Sequence, residues 1–423
     1  MDKYTLRNLF KEDKYEDVIK YWNSEKLNEF SEWDFYYLIK SFYKIDQFEK
    51  CLEVYKKCHK KIENTKANKP INNCMGWAVY QAKVKNFDFD CSDVPNLLKL
   101  IRYVYQNCDD EKSPRWLLAE FLVKAVDDHK LILKNPNEIL LEFLHQIDSD
   151  KLSREEKKYE EKLLASDFEK WCSEISKVYL NLKRYDKCID ICQKALDSEI
   201  KLHSNNDSWF RYRMAKCYLS QNDMENAQNY VREAQIRGCK HWCIKQILFE
   251  IAHKMNDEKA LVYASECAMA DRSHEMRVSF YEDFSKYLQE EKFEHESMLL
   301  RHLIILLREE NKWKLKPEHS SWVITQEIKS LDKRETLEKL SEFWNKCSKV
   351  GKEYYRGTIK NILPQGNAGF IACEDSKDYH FKKNDCRGNW ELKKGLKVRF
   401  TLEEGFDKKK GQKCMNAVDI TLE

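Results

Sequence analysis

Seven of the ten glycines in this 423-residue chain (Gly357, Gly366, Gly369, Gly388, Gly395, Gly405 and Gly411) fall at or after position 357. Residues 1–350 hold only Gly76 and Gly238, and Gly351 stands at the junction. Glycine and proline punctuate chains that turn often, and Pro contributes only 6 residues here. A stretch this long without punctuation is built of helices, which excludes collagen-like, linker-rich and many-turned all-β readings for most of the chain. A tail that uses glycine about every ten residues is turning short strands into a small β-barrel. The sequence therefore predicts two parts, 1–350 and 353–423, meeting near 348–354.

No run approaches the ~18 apolar residues of a membrane span. The opening Met1-Asp2-Lys3-Tyr4-Thr5-Leu6-Arg7 lacks the apolar stretch of a secretory signal, so a cytoplasmic location is expected. The 16 cysteines are scattered with no C-x-x-C pair, and the nearest pairs, Cys188/Cys192 and Cys239/Cys243, sit at i,i+4 inside helical patterns. That spacing favours reduced, buried thiols acting as small apolar residues over a metal site. Neither a metal nor another cofactor is expected. Phosphate-loop, zinc-protease and nucleophile-elbow motifs are missing, and His145, His203, His253, His274, His295 and His302 stand alone, so no enzyme is expected. The net charge is +3, and all of it sits in the tail; this is too little to mark a nucleic-acid protein by itself.

The helical part repeats. Lys183–Ala195 recurs in style at Asn222–Ala234, at Asn256–Ala260, at Asp46–Cys58 and at Lys14–Val18. Each copy is a short polar turn, a large apolar residue, then a helix whose contact positions are small. The small residues Val18 and Cys51, and again Ala227 and Ala260, lie 33 apart, while Cys188 and Ala227 lie 39 apart. Ile175 and Tyr179, Met214, Ala215 and Tyr218, and Leu248 and Ile251 fit the packing positions of the preceding helices. Phe284, Tyr287, Phe293, Leu300 and Leu303 suit a fifth copy. This pattern resembles the tetratricopeptide repeat, a helix–turn–helix unit of about 34 residues. The family's small residue on the first helix is replaced by Ile39, Ser176, Ala215 and Leu248. The resemblance implies a right-handed α-solenoid of degenerate repeats, best in 1–65 and 165–310. A non-standard helical block fills 75–165, and terminal helices fill 318–350. It also implies a groove for a protein partner, lined by Lys170, Lys177, Asn181, Trp209, Tyr212, Lys216, Trp242, Lys245 and Phe249, whose lysines and aromatics would suit an acidic peptide or an RNA strand.

From Tyr355 to Thr421 the pattern switches to period two, with five strands expected near 356–362, 368–373, 379–382, 396–402 and 415–420. In the fourth, Leu396, Val398, Phe400 and Leu402 are expected on one face. Five short antiparallel strands with glycine-bearing turns read as an oligonucleotide-binding (OB) barrel. The segment resembles the cold-shock domain: Gly357-Thr358-Ile359-Lys360 stands where that family opens G-x-V-K. Gly369-Phe370-Ile371 closes its first ribonucleoprotein motif. Leu392-Lys393-Lys394-Gly395-Leu396-Lys397-Val398-Arg399-Phe400 matches L-x-x-G-x-x-V-x-F, followed by an acidic loop, Glu403-Glu404-Gly405. The resemblance implies single-stranded nucleic acid, RNA favoured, held by Lys360, Phe370, His380, Lys382, Lys383, Trp390, Lys408, Lys409 and Lys410. Asn361 and Ala368 replace family aromatics, His380 replaces a stacking Phe, and Lys382 and Lys383 replace a His and a Phe. Weaker and more salt-sensitive binding follows. The expected whole is a non-enzymatic adaptor joining nucleic acid to a protein partner. The alternative is a purely protein–protein scaffold whose barrel also docks protein, in the manner of accessories of bacterial stress or anti-invader systems.

Overall fold

A computed structural model describes residues 5–22, 28–90, 93–239, 241–270, 273–388, 390–407 and 410–423. The chain divides into two compact units, residues 1–200 and 201–423. The second unit holds both the later helices and the C-terminal strands, so the change in composition near residue 350 falls inside one unit.

The first unit carries α1 (Thr5–Lys11), α2 (Tyr15–Lys20), α3 (Glu32–Lys44), α4 (Phe48–Ile62), α5 (Asn68–Val79), α6 (Val94–Asn107), α7 (Arg115–Asp127), α8 (Pro136–Leu144), α9 (Asp167–Asn181) and α10 (Tyr185–Leu196). Two features of its 75–165 block were not expected. A π-helical turn, Tyr80–Val84, continues α5, and a two-stranded ribbon, β1 (Lys157–Tyr159) with β2 (Lys162–Leu164), precedes α9. The second unit carries α11 (Asn206–Ser220), α12 (Met224–Ile236), α13 (Trp242–Lys254), α14 (Lys259–Ala268), α15 (Val278–Glu290), α16 (Glu294–Glu310), α17 (Gln326–Lys329) and α18 (Lys333–Cys347). Cys239 lies in the turn before α13, outside any helix, whereas Cys188 and Cys192 both belong to α10.

Six helical hairpins share one construction. The first helix of each ends on a left-handed residue: Asp13, Asp46, Lys183, Asn222, Asn256 and Lys292 have φ between 52° and 64°. The next residue returns its N–H to the carbonyl five positions back, as in Arg184 to Tyr179 at 2.9 Å, Asp223 to Tyr218 at 2.9 Å and Phe293 to Leu288 at 2.8 Å. These bonds satisfy carbonyls that the helix end would otherwise leave open. The second helix then starts within a few residues, and at a fixed offset of twelve the two helices touch: Leu6/Val18, Ile39/Cys51, Ser176/Cys188, Ala215/Ala227, Leu248/Ala260 and Ser285/Ser297 are all at most 3 % exposed. Where the second member carries a small polar group, it donates to the carbonyl of the first. Cys51 Sγ reaches Ile39 O at 3.3 Å, Cys188 Sγ reaches Ser176 O at 3.3 Å, and Ser297 Oγ reaches Ser285 O at 2.7 Å. In these three pairs a side chain short enough to touch the facing backbone sets the separation of the helices.

After α18 come β3 (Tyr355–Ile362), β4 (Ala368–Cys373), β5 (Asp378–Lys382), β6 (Lys397–Asp407) and β7 (Gln412–Leu422). β4 pairs with β3 and β5, β7 with β5 and β6, and β6 returns to β3, so the ring of pairings closes. The β5–β7 pairing, His380 opposite Asn416, is parallel, so the expectation of a wholly antiparallel sheet is corrected there. The interior is Ile359, Ile371, Tyr379, Phe381, Val398, Phe400, Ala417 and Ile420. Gly369 is required at the turn of this wall, since a Cβ there would collide with the Asn361 carbonyl and the Phe381 ring. β6 and β7 are each 11 residues long and form an arm. Glu403-Glu404-Gly405 therefore lies in a strand rather than in the expected loop. A register shift between Arg399 and Thr401 also breaks the expected alternation, burying Thr401 and leaving Leu402 partly exposed.

Two substitutions check the hairpin construction by thermal unfolding. Ala227→Leu forces a larger side chain between α11 and α12 and is expected to destabilise by about 1–3 kcal/mol. Lys183→Gly removes the steric cost of a left-handed residue whose side chain is exposed, and is expected to stabilise by about 0.5–1 kcal/mol.

Candidate functional site

The burial of β4 and β5 alternates strictly, which fixes the outward face. Gly369, Ile371, Tyr379 and Phe381 are buried, while Phe370 and His380 are only partly so. Register then sets a row across the sheet: Asn361 opposite Phe370, Phe370 opposite His380, His380 opposite Asn416, and Asn416 opposite Glu403. The Phe370 and His380 rings meet edge to face, with centroids 5.5 Å apart and planes at 69°. Ala368 and Ala372 flank Phe370 on the same face and stand no taller than a methyl group. Gly405, diagonal to Asn416, leaves room for its side-chain amide, which a Cβ would strike. The result is a flat strip of two rings ended by amides, the surface on which unpaired bases can stack and hydrogen-bond.

The basic residues expected around this strip divide. Lys360 sits at a bulge that turns it outward, but it reaches across β4 to pair with Asp378 of β5. Lys382 and Lys383 are exposed beside His380, and Lys410 is exposed at the tip of the arm. Lys408 and Lys409 lie outside the described residues. Trp390 is partly buried against the β interior, and its indole N–H donates to Arg387 O at 2.7 Å, so it anchors its loop as well as edging the surface.

The expected protein-binding residues divide as well. In the first unit, Lys170 Nζ lies 2.6 Å from Glu120 and Lys177 Nζ 2.9 Å from Glu174, while the Asn181 amide donates to Asn137 at 3.1 Å. These lysines are already neutralised. In the second unit, the Trp209 ring lies 5.5 Å from Tyr212 and 5.2 Å from His241, burial raises the Tyr212 hydroxyl above its ordinary pKa, and Lys216 is exposed. Trp242 is partly buried against the core shared by α13 to α16. Phe249 is a correction. It is 1 % exposed, because Phe280, Phe284 and Tyr287 of α15 enclose it, and it lines no groove. The sequence reading also missed two carboxyls among these residues. Burial pushes Glu250 up against the opposing pull of its Gln246 hydrogen bond and Lys216, and burial likewise pushes Asp283 up.

Lys245 is the second correction. It does not wait for a partner chain; it belongs to a chain of six alternating charges. Glu403 of β6 lies 3.9 Å from Lys245 of α13, which lies 2.7 Å from Glu266 of α14. Glu266 lies 2.7 Å from Lys352, Lys352 lies 3.2 Å from Asp419 of β7, and Asp419 lies 2.8 Å from Arg387. Desolvation opposes the charge on Glu266, but Lys245 and Lys352 outweigh it and hold its carboxyl below the ordinary range. Asp419 is held low in the same way by Arg387 and Lys352. Beside this chain, Lys413 pairs with Glu233 at 2.9 Å, the Gln235 amide donates to Glu403, and the Arg237 guanidinium lies 4.5 Å over the Phe406 ring. The arm therefore meets α12 and α13 through charge and a cation–π contact, with α14 linked to it only through Lys245 and Lys352, and among the described residues the β interior draws on no helical residue.

A family model described as the tetratricopeptide repeat matches residues 172–199 and 210–235. The first match takes in most of α9 and all of α10, and the second most of α11 and α12. No curated protein matches the chain. No helix among the described residues is long and apolar enough to cross a membrane.

The charge chain fixes a pH response. Glu266 and Asp419 have folded pKa values below the ordinary ones, so their contribution is present above the unfolded carboxylate range and is lost as pH falls through the lower folded values. Thermal unfolding of Glu266→Gln is expected to give a lower melting temperature than the parent at pH 7. The gap should narrow as the pH drops below about 4.

Proposed function

We propose that this chain is a non-enzymatic adaptor. Its C-terminal β domain is an oligonucleotide-binding, cold-shock-like barrel that holds single-stranded nucleic acid, with RNA favoured, and its tetratricopeptide hairpins engage a protein partner. The observation that carries the nucleic-acid half is the strip Asn361–Phe370–His380–Asn416, outward-facing and flat, with Lys382 and Lys383 at its edge. Stacking on two rings contributes about 1–3 kcal/mol per base, and few free lysines leave a modest electrostatic share. The repeat match supports the protein-binding half, since such repeats are scaffolds that grip peptides and helices. An acidic peptide suits these helices poorly, because Lys170, Lys177 and Lys245 already face carboxylates.

A second reading, that the β domain serves protein docking alone, draws support from the Lys360–Asp378 pair, which removes the basic residue of the opening motif from service. Fluorescence anisotropy of the full chain with labelled oligo-U and oligo-T separates the two. The adaptor reading expects binding tighter than about 100 µM at low salt, weakened about five-fold or more by Phe370→Ala, the stacking loss of one base. No binding at low salt, with protein partners retained in a nuclease-treated pull-down, would establish the second reading.

A further inference from the structure

The strip does not end in open sheet. Its last member, Glu403, places a carboxylate directly across from Asn416 and two strands beyond His380, at the border that the phosphates of a strand stacked on the rings would approach. Unopposed, that charge would repel the ligand. It is opposed from the helices: the Gln235 amide donates to Glu403, and Lys245 lies 3.9 Å away. Lys245 in turn is fixed by Glu266, and the network closes through Lys352, Asp419 and Arg387, giving three cations against three carboxylates. The Lys245 side chain is only 23 % exposed, so solvent and salt screen its hold on Glu403 poorly.

We infer that Lys245, a helical residue, is a positioning residue of the ligand strip: it neutralises Glu403 and so sets how tightly the β domain holds a polyanionic strand. The inference rests on the nucleic-acid reading given above and assigns that site a component outside the β domain. Removing the lysine leaves one net negative charge at the end of the strip. Removing the carboxylate leaves one net positive charge at that end of the strip, with Lys245 still held by Glu266. A unit charge about 8 Å from a phosphate in largely aqueous surroundings changes affinity about three-fold.

The test is anisotropy of labelled oligo-U with the full chain, on Lys245→Met, Glu403→Gln, the double variant and Lys245→Arg, with Phe370→Ala as reference and circular dichroism confirming the fold of each. Lys245→Met is expected to weaken binding about three-fold, and Lys245→Arg to restore it. Glu403→Gln is expected to tighten binding about three-fold and to steepen its salt dependence by up to about one phosphate contact. The double variant is expected to return close to the parent. A merely structural role for the pair would weaken binding in both single variants, so tighter binding by Glu403→Gln is the decisive sign. If Phe370→Ala abolishes binding while Glu403→Gln leaves it unchanged or weaker, the inference is overturned and the nucleic-acid reading stands. If the parent and every variant fail to bind, both fall together.

Discussion

Close approach of two helices at a twelve-residue offset is the constraint on which the helical architecture rests. Each hairpin buries a residue of its second helix beneath one twelve positions earlier, and in three of them a short polar side chain uses that closeness to hydrogen-bond a main-chain carbonyl. The cysteines fit here as well. A thiol is small enough for the contact, apolar enough for a core and able to donate one weak bond, so Cys51 and Cys188 do the work that Ala227, Ala260 and Ser297 do elsewhere. Burial raises the Cys51 thiol far above its ordinary pKa, as expected of a packing residue rather than a nucleophile.

Local features were readable from the sequence and distant ones were not. The repeated turn-plus-small-residue pattern located the hairpins because it is a property of about a dozen adjacent residues. The sudden return of glycine located the strands because tight turns and close walls, as at Gly369, require it. Phe249 was misplaced because a repeat register assigns each helix its own faces and cannot show that three aromatics of α15 close over it. Lys245 was misplaced because its partner Glu403 is 158 positions away, and no local pattern marks a charge as already spoken for. The ribbon β1–β2 escaped notice because three-residue strands leave almost no periodicity to detect.

The same contrast separates the two kinds of adhesion in the second unit. Within the hairpins, apolar burial and fixed spacing leave little room for alternatives. Between the strand arm and α12 and α13, the contacts are ionic, polar and cation–π, so they specify one arrangement more than they add stability. That combination fixes the Glu403 carboxylate at the border of the outward strip, two strands from the His380 ring.

The alternating chain from Glu403 to Arg387 also bears on how this protein can be dissected. Cutting the polypeptide at the compositional boundary near residue 350 would sever Lys352 from Glu266 and strip Glu403 of Lys245, leaving the Glu403 carboxylate without its facing cation. Such a fragment, convenient to produce, would carry a different charge at the border of its outward strip from that of the intact molecule.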